Sequence, residues 1–440
     1  VKIPSGKFSR LGHIGQSYQV TQWFAKPAVF DNNGWHPMSY LDQGEFYSEF
    51  GNYDVSITVP KNYVLMATGD LQNEEEIEFL NEKAKLTSQL IEENNLPVRD
   101  SFGRKDMSFP RSSVEKKTLR FVQKNIHDFA WFTDKRYHVL KGEVNVNNRK
   151  ITSWALFTNN EAKLWRRSIE YINDATRYFS KWVGEYPYNH VTAVDGTISA
   201  GGGMEYPNIT VIGSSGDSKS LETVIVHEVG HNWYYGILGS NERDNAWMDE
   251  GLNTYIEIRY MEEKYPNGYF RKKDSTQNKS RGISLNISME EKELQHIAYQ
   301  FNASRNYDQA LKMGSKDFTQ MNYGAMVYSK TGIGFNYLKS YLGEEVFDDC
   351  MNEYFNQWKF KHPSPNDIKL VFEIGSELKL DWFFEDYIKT TKKTDYFIKK
   401  VSKINDQEYL IKLKNITGYK SPIPIQMIND SNKIISEKWI

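Results

Sequence analysis

VIVHEVGHNWYYG, residues Val224 to Gly236, sets two histidines and a glutamate inside an otherwise apolar run. Polar groups persist in such surroundings only when a partner satisfies them. Residues four apart on a helix stand one above the other, so His227 and His231 project from one face with Glu228 beside them. Two imidazoles at that spacing can converge on one ion, and the neighbouring carboxylate can act on a water bound to it; this is the H-E-x-x-H pattern. Ser218 or Ser220 is placed to cap the helix and Gly236 or Gly239 to end it. The competing reading is a core helix whose histidines bond backbone or carboxylate partners.

A catalytic zinc usually keeps three protein ligands and leaves a fourth position open. Downstream, NAWMDEGLNTYIEIRY supplies Glu250, separated from His231 by 18 residues and opening a second helix expected over 246–263. An acid at a helix start is favoured by the helix dipole alone. Flanked by Trp247, Met248 and Leu252, however, Glu250 would be poorly solvated without a cation.

Around this centre the hydrophobic period changes twice. From Tyr18 to about Ala155 the segments SYQVTQWF, YDVSITVP, YVLMATG and YHVLKGEVNV alternate and carry β-branched and aromatic residues, which predicts antiparallel sheet. The interruption from Leu71 to Asp106 is charged and locally helical, and reads as a solvated excursion. Trp165, Ile169, Ile172, Thr176, Phe179 and Val183 then recur at helical spacing up to Gly184, followed by strands HVTAVDG and NITVIG. Residues 264–320 read as loop with a short helix near 288–300. From Tyr323 to Lys392 the pattern is helical, broken at Gly343, HPSPND and Gly375, and from Thr394 a Lys-rich stretch alternates again. The fold class expected is α+β multidomain: a β-sheet domain over 1–155, a catalytic domain running into helices over 156–395, and a linker with the start of a β module over 396–440.

The spacing HEVGH, 18 residues, WMDEG resembles the aminopeptidase N family of gluzincin zinc metallopeptidases, whose thermolysin-like relatives use one residue more. GGGMEYPNIT, Gly201 to Thr210, resembles that family's G-x-M-E-N motif, and VYSKTGIGFNYLKSYLG its Y-x-K-G helix. The resemblance runs along most of the chain and implies a thermolysin-like α/β catalytic domain. It further implies one Zn²⁺ per chain on His227, His231 and Glu250, with Glu228 as general base and Tyr328 donating to the oxyanion. Tyr323 is the alternative tyrosine. Glu205 would bind the substrate's free α-amine, while Gly202, Gly203 and Met204 let an extended peptide approach the backbone. Gln22 is a further polar contact. Two positions depart from the family: its Asn after the glutamate is Tyr206, and an acid that many members place after T-Q corresponds to Phe24.

Lys and Arg number 55 against 57 Asp and Glu, so no charge excess directs the chain to nucleic acid or an anionic membrane. A single cysteine, Cys350, excludes an intrachain disulfide and reads as a small core residue. No apolar run of about 18 residues is present, and the start lacks the pattern of a signal peptide. Because the sequence opens on Val1 and stops at Ile440 inside a strand pattern, a longer parent is expected. Resemblance to bacterial members favours an exported protein, periplasmic, secreted or on the surface. The function expected is a zinc aminopeptidase acting on peptides with a free N-terminus. An endopeptidase, an epoxide hydrolase like leukotriene hydrolase, and a non-catalytic scaffold remain as alternatives. The seven other histidines, His13, His36, His127, His138, His190, His296 and His362, show no ligand spacing.

Overall fold

The structure is a computed structural model that describes residues 3–6, 10–97, 106–196, 202–266, 290–405, 408–431 and 433–440. The chain divides into two compact units: 1–41, 45–241 and 355–363 form the first, and 42–44, 242–354 and 364–440 the second.

In the first unit the alternating segments pair as expected. Gly12–Ile14, Ser17–Val20, Trp131–Asp134 and Val64–Ala67 make a four-stranded antiparallel sheet, and Gly51–Pro60 pairs with Lys116–Ile126 in a second. A third, five-stranded sheet runs in the order His138–Val146, Arg149–Phe157, His190–Asp195, Ile209–Ile212, Gly203–Tyr206. Its outer pairs are antiparallel and its two inner pairs parallel. Residue 155 therefore falls within a strand of this sheet, because the hairpin 138–157 continues into the strands that follow the helix.

All six residues of His190–Asp195 are buried, as a central parallel strand covered on both faces requires. Leu156 packs in a cluster with Leu80 and Ala84 of helix Glu74–Glu92, whereas its neighbour Phe157 stacks on Trp165, so the strand's alternation shows both layers. This corrects the reading of 71–106 as a solvated excursion. Its 19-residue helix lies on strand His138–Val146, burying a narrow stripe, Glu76, Leu80, Ala84 and Thr87, and pairing Glu76 with Lys117 at 2.6 Å. Most of its other residues are charged or polar, which hid the stripe in the composition.

Helix Ser168–Trp182 ends as predicted before Gly184, whose amide reaches Phe179 O. The helix carrying the motif spans Ser218–Gly230. Its cap is Asp217, which accepts from the Ser220 amide at 2.9 Å, and neither serine. It stops at Gly230, not at Gly236 or Gly239, with the His231 amide still bonded to His227 O.

In the second unit a 3₁₀ turn over Ala246–Met248 precedes helix Glu250–Lys264. A π-helical turn, Tyr323–Lys330, leads into helix Thr331–Leu342, and Glu344–Trp358 and Pro365–Ser376 follow. Gly343, at φ 85°, makes the predicted break, but Gly375 lies inside a helix that ends at Glu377 in the left-handed region. Gly375 is needed there for closeness, since a Cβ would stand 2.5 Å from the buried Cys350 Sγ. The short helix expected near 288–300 is found over Glu291–Ala303, and positions 288 and 289 lie outside the described residues. Two hairpins, Tyr396–Lys403 with Tyr409–Asn415 and Pro424–Ile428 with Ile434–Trp439, complete the unit. Among the described residues no helix is long and apolar enough to cross a membrane.

Close helix packing fixes the tyrosine-bearing turn. A Cβ on Gly251 would lie 2.4 Å from Thr331 Cγ2 and 2.6 Å from Val327 O. Gly251→Ala should therefore destabilise the second unit by about 1–3 kcal/mol, the usual cost of overpacking. A urea midpoint lowered accordingly checks this, and an unchanged midpoint contradicts the packing described.

Candidate active site

The first unit gathers His227, Glu228, His231 and Glu205. The two imidazoles meet nearly edge to face, at 81°, with their Nε2 atoms 3.1 Å apart. Two nitrogens each about 2.0–2.1 Å from a tetrahedral ion would be about 3.3 Å apart, so the pair fits a zinc ion without rearrangement. Glu205, Glu228 and His231 each offer a ligand atom within 4.8 Å of the others. Both carboxylates are 6 % exposed. Two buried carboxylates that close repel one another strongly and stay ionised only beside positive charge.

Strand alternation explains how the carboxylate of Glu205 reaches this place. Met204 and Tyr206 point together into the hydrophobic cluster with Phe132 and Val211, so Gly203 and Glu205 point the other way, toward the motif helix. A Cβ on Gly203 would fall 2.5 Å from both Cγ and Oε1 of Glu228. Only glycine lets the strand lie against that side chain. Met204 was expected to contact substrate, but its side chain belongs to the core and only its backbone is available. Tyr206, the departure from the family's Asn, is likewise a core ring, packed 6.2 Å from Phe132. Burial holds its phenol well above the ordinary tyrosine range. A Cβ on Gly202 would stand 3.2 Å from Val224 Cγ2 of the motif helix, a tight approach, and Gly201 lies outside the described residues.

Gly203–Tyr206 is the edge strand of its sheet, paired on one side with Ile209–Ile212. Its other side has no strand among the described residues. Gln22 adopts φ 51° with its amide nitrogen buried and without a hydrogen-bond partner among the described residues. Phe24 packs edge-on against Trp23 and Tyr53, 5.2 and 5.7 Å away, and fills an aromatic cluster where an acid was looked for.

Arg10 was not foreseen. Its guanidinium bonds Glu45 at 2.6 Å. Burial opposes its charge, but Glu45, Tyr206 and Glu205 outweigh that and hold its pKa above the ordinary arginine value. A cation thus already leans on Glu205. Nothing local could have revealed it, since 194 residues separate the two in a sequence where arginines are common.

The second unit holds the other two expected residues. Glu250 is the first residue of its helix, and Tyr328 sits on the π-helical turn, a distortion often found at functional sites. The Tyr328 hydroxyl donates to Glu250 Oε1 at 2.5 Å. Burial, then the Glu250 charge, raise the pKa of that phenol well above its ordinary value, so it remains a proton donor at neutral pH. Tyr323, the alternative, instead donates to Glu242 at 2.8 Å.

The remaining histidines have ordinary duties. His127 bonds Tyr235 O, His190 bonds Gly69 O and His362 bonds Gly239 O. Burial pushes His127 down to about 3, so it is neutral and structural.

Residues 168–387, half of the chain, match the Peptidase family M1 domain. Leucine aminopeptidase 2-1 of Meyerozyma guilliermondii is 27 % identical over 165 residues, covering 36 % of this chain and 25 % of that protein. Aminopeptidase B of Mus musculus is 25 % identical over 183 residues, covering 40 % of this chain and 26 % of that protein. The chain thus spans about a quarter of the length of the curated relatives it matches. Among solved structures, Legionella pneumophila aminopeptidase A in complex with aspartic acid superposes with a TM-score of 0.65 at 14 % identity, over 98 % of this chain and 44 % of that one. The M1 zinc metallopeptidase from Deinococcus radiodurans gives 0.51 at 13 % identity, over 77 % and 64 %. The family match includes all of Glu205, His227, Glu228, His231, Glu250 and Tyr328, and the chain belongs to peptidase family M1.

Proposed function

We propose that this chain is the catalytic part of a zinc aminopeptidase that removes N-terminal residues from peptides. The observation that carries this reading is the buried meeting of Glu205, Glu228 and His231 within 4.8 Å, an anionic site suited to a cation and to a substrate ammonium. His227, His231 and Glu250 would hold the ion, one per chain. Zinc held there supplies a Lewis acid and makes a water acidic enough to lose its proton near pH 7.

Glu228 takes that proton and returns one to the leaving amine, because the base of the forward step becomes the acid of the next. Glu205 holds the α-ammonium and so fixes how many residues stand on the N-terminal side of the scissile bond. The edge of Gly203–Tyr206 that no described strand covers would pair with an extended substrate backbone. Tyr328 donates to the developing oxyanion, and its raised pKa keeps the proton available.

The test compares amino-acid p-nitroanilides and free peptides with their N-acetylated forms. Hydrolysis of the free forms at least 100-fold faster in kcat/KM is expected, since acetylation removes the charge-assisted hydrogen bond from the substrate ammonium to Glu205, worth up to about 3 kcal/mol. Equal or faster cleavage of blocked peptides would favour the endopeptidase reading. Metal analysis of chelator-free protein should find about one zinc per chain, and none would favour the scaffold.

A further inference from the structure

The second unit contains a cavity that the proposed chemistry does not use. Its volume is about 520 Å³, and Ile333, Tyr337, Trp382, Phe383, Tyr387 and Tyr419 wall it. That size lies within the range of small-molecule sites, roughly 300–1,000 Å³.

The polar groups of this wall are arranged in a particular way. The hydroxyls of Tyr337, Tyr387 and Tyr419 donate to the carbonyls of Pro422, Lys330 and Trp382, at 2.5, 2.7 and 2.8 Å. Their protons are spent on the protein, so the rings supply chiefly apolar surface. Trp382 differs: its indole N–H is shut from solvent and has no acceptor among the described residues. The ring itself is fixed, crossed edge-on by Tyr337 at 6.1 Å and by Phe383 at 5.4 Å.

Charge selects among possible occupants. Lys392, Lys393 and His296 line the cavity, and no carboxylate is among its described lining residues. Lys392 bonds Asp386 at 2.5 Å and Lys393 bonds Asp308 at 3.0 Å, both acids standing outside the lining. An ammonium carries three donors, so Lys392 can still serve a second acceptor, whereas Lys393 also reaches Asn306 Oδ1 and Thr391 O, at 3.2 and 3.3 Å, and adds only its charge. Aromatic cages elsewhere bind cations. Here the lining charges have the wrong sign for that, and the orphan indole donor likewise asks for an acceptor.

We propose that this cavity is a binding site for a small aromatic carboxylate, its ring held among Tyr337, Trp382 and Phe383 and its carboxylate at the lysine end. The site is independent of the peptidase reading, because it shares no residue with it.

Isothermal titration of the intact chain with indole-3-propionate tests the proposal, with indole and the cation tryptamine as controls. Saturable one-to-one binding is expected, weaker by roughly fivefold for indole and absent for tryptamine. Lys392→Ala should weaken indole-3-propionate by roughly fivefold, the size of a half-exposed ion pair. Asn336→Trp, which fills the cavity from helix Thr331–Leu342, should abolish binding while the thermal midpoint stays near that of the parent. A carboxylate also suits a metal centre, so unchanged affinity in both variants would overturn the proposal. No saturable heat with the parent chain, or tryptamine bound as tightly as indole-3-propionate, would overturn it equally. Should Asn336→Trp fail to fold, Lys392→Ala with the two controls decides.

Discussion

Glu228→Gln is expected to retain about one zinc per chain and lose on the order of 10³- to 10⁴-fold in kcat, near the upper range for a positioned general base. The substitution is nearly isosteric, and the geometry demands that. The side chain lies under Gly203 with no space for a bulkier neighbour, so Gln keeps the strand and helix apart by the same distance. What it removes is the ability to accept and return a proton. Zinc content and kcat measured on the same preparation separate loss of chemistry from loss of metal. Full activity with full zinc would falsify the proposed role of Glu228.

Tyr328→Phe should cost about 10²- to 10³-fold in kcat with little change in KM, the loss usual when one oxyanion donor is removed. Phe keeps the ring within its buried setting and deletes only the hydroxyl that now donates to Glu250. A purely structural tyrosine would show the reverse pattern, a lowered thermal midpoint with kcat preserved once folded. Tyr323→Phe is the companion variant: its hydroxyl is engaged with Glu242, and activity within a few-fold of the parent is expected. A collapse of kcat in Tyr323→Phe and none in Tyr328→Phe would exchange the two assignments.

How much of this could be read beforehand varies with the range of the interactions involved. The motif helix was legible because an i, i+4 relation is local and a histidine pair in an apolar run has few explanations. Glu250 and Tyr328 were reached by spacing and resemblance, and the bond between them across 78 positions is a product of packing at Gly251. Helix Glu74–Glu92 was seen as helical but misplaced in water, since only four of its 19 residues are buried. The hairpin over 138–157 looked antiparallel, which it is, yet alternation says nothing about which sheet a hairpin joins. Arg10 beside Glu205 and Gly203 beneath Glu228 are pure tertiary facts. Tyr206 shows the reverse case: a change that looked damaging to the amine site lies on the strand's other face, where volume and not polarity is selected.

The π-helical turn over Tyr323–Lys330 also governs helical phase. Such a turn holds one residue more than an α-helical turn, so the chain before it and the chain after it are offset by about 100° from what a continuous α-helix would give. Deleting a single residue there would leave a helix of ordinary appearance, with good hydrogen bonds and unbroken hydrophobic faces below Thr331. Its upstream part would be rotated by that same angle, and Tyr328 would face a different neighbour. The turn thus behaves as a one-residue reading frame for side-chain direction, and insertions or deletions at 323–330 should be far less tolerated than substitutions that preserve its length.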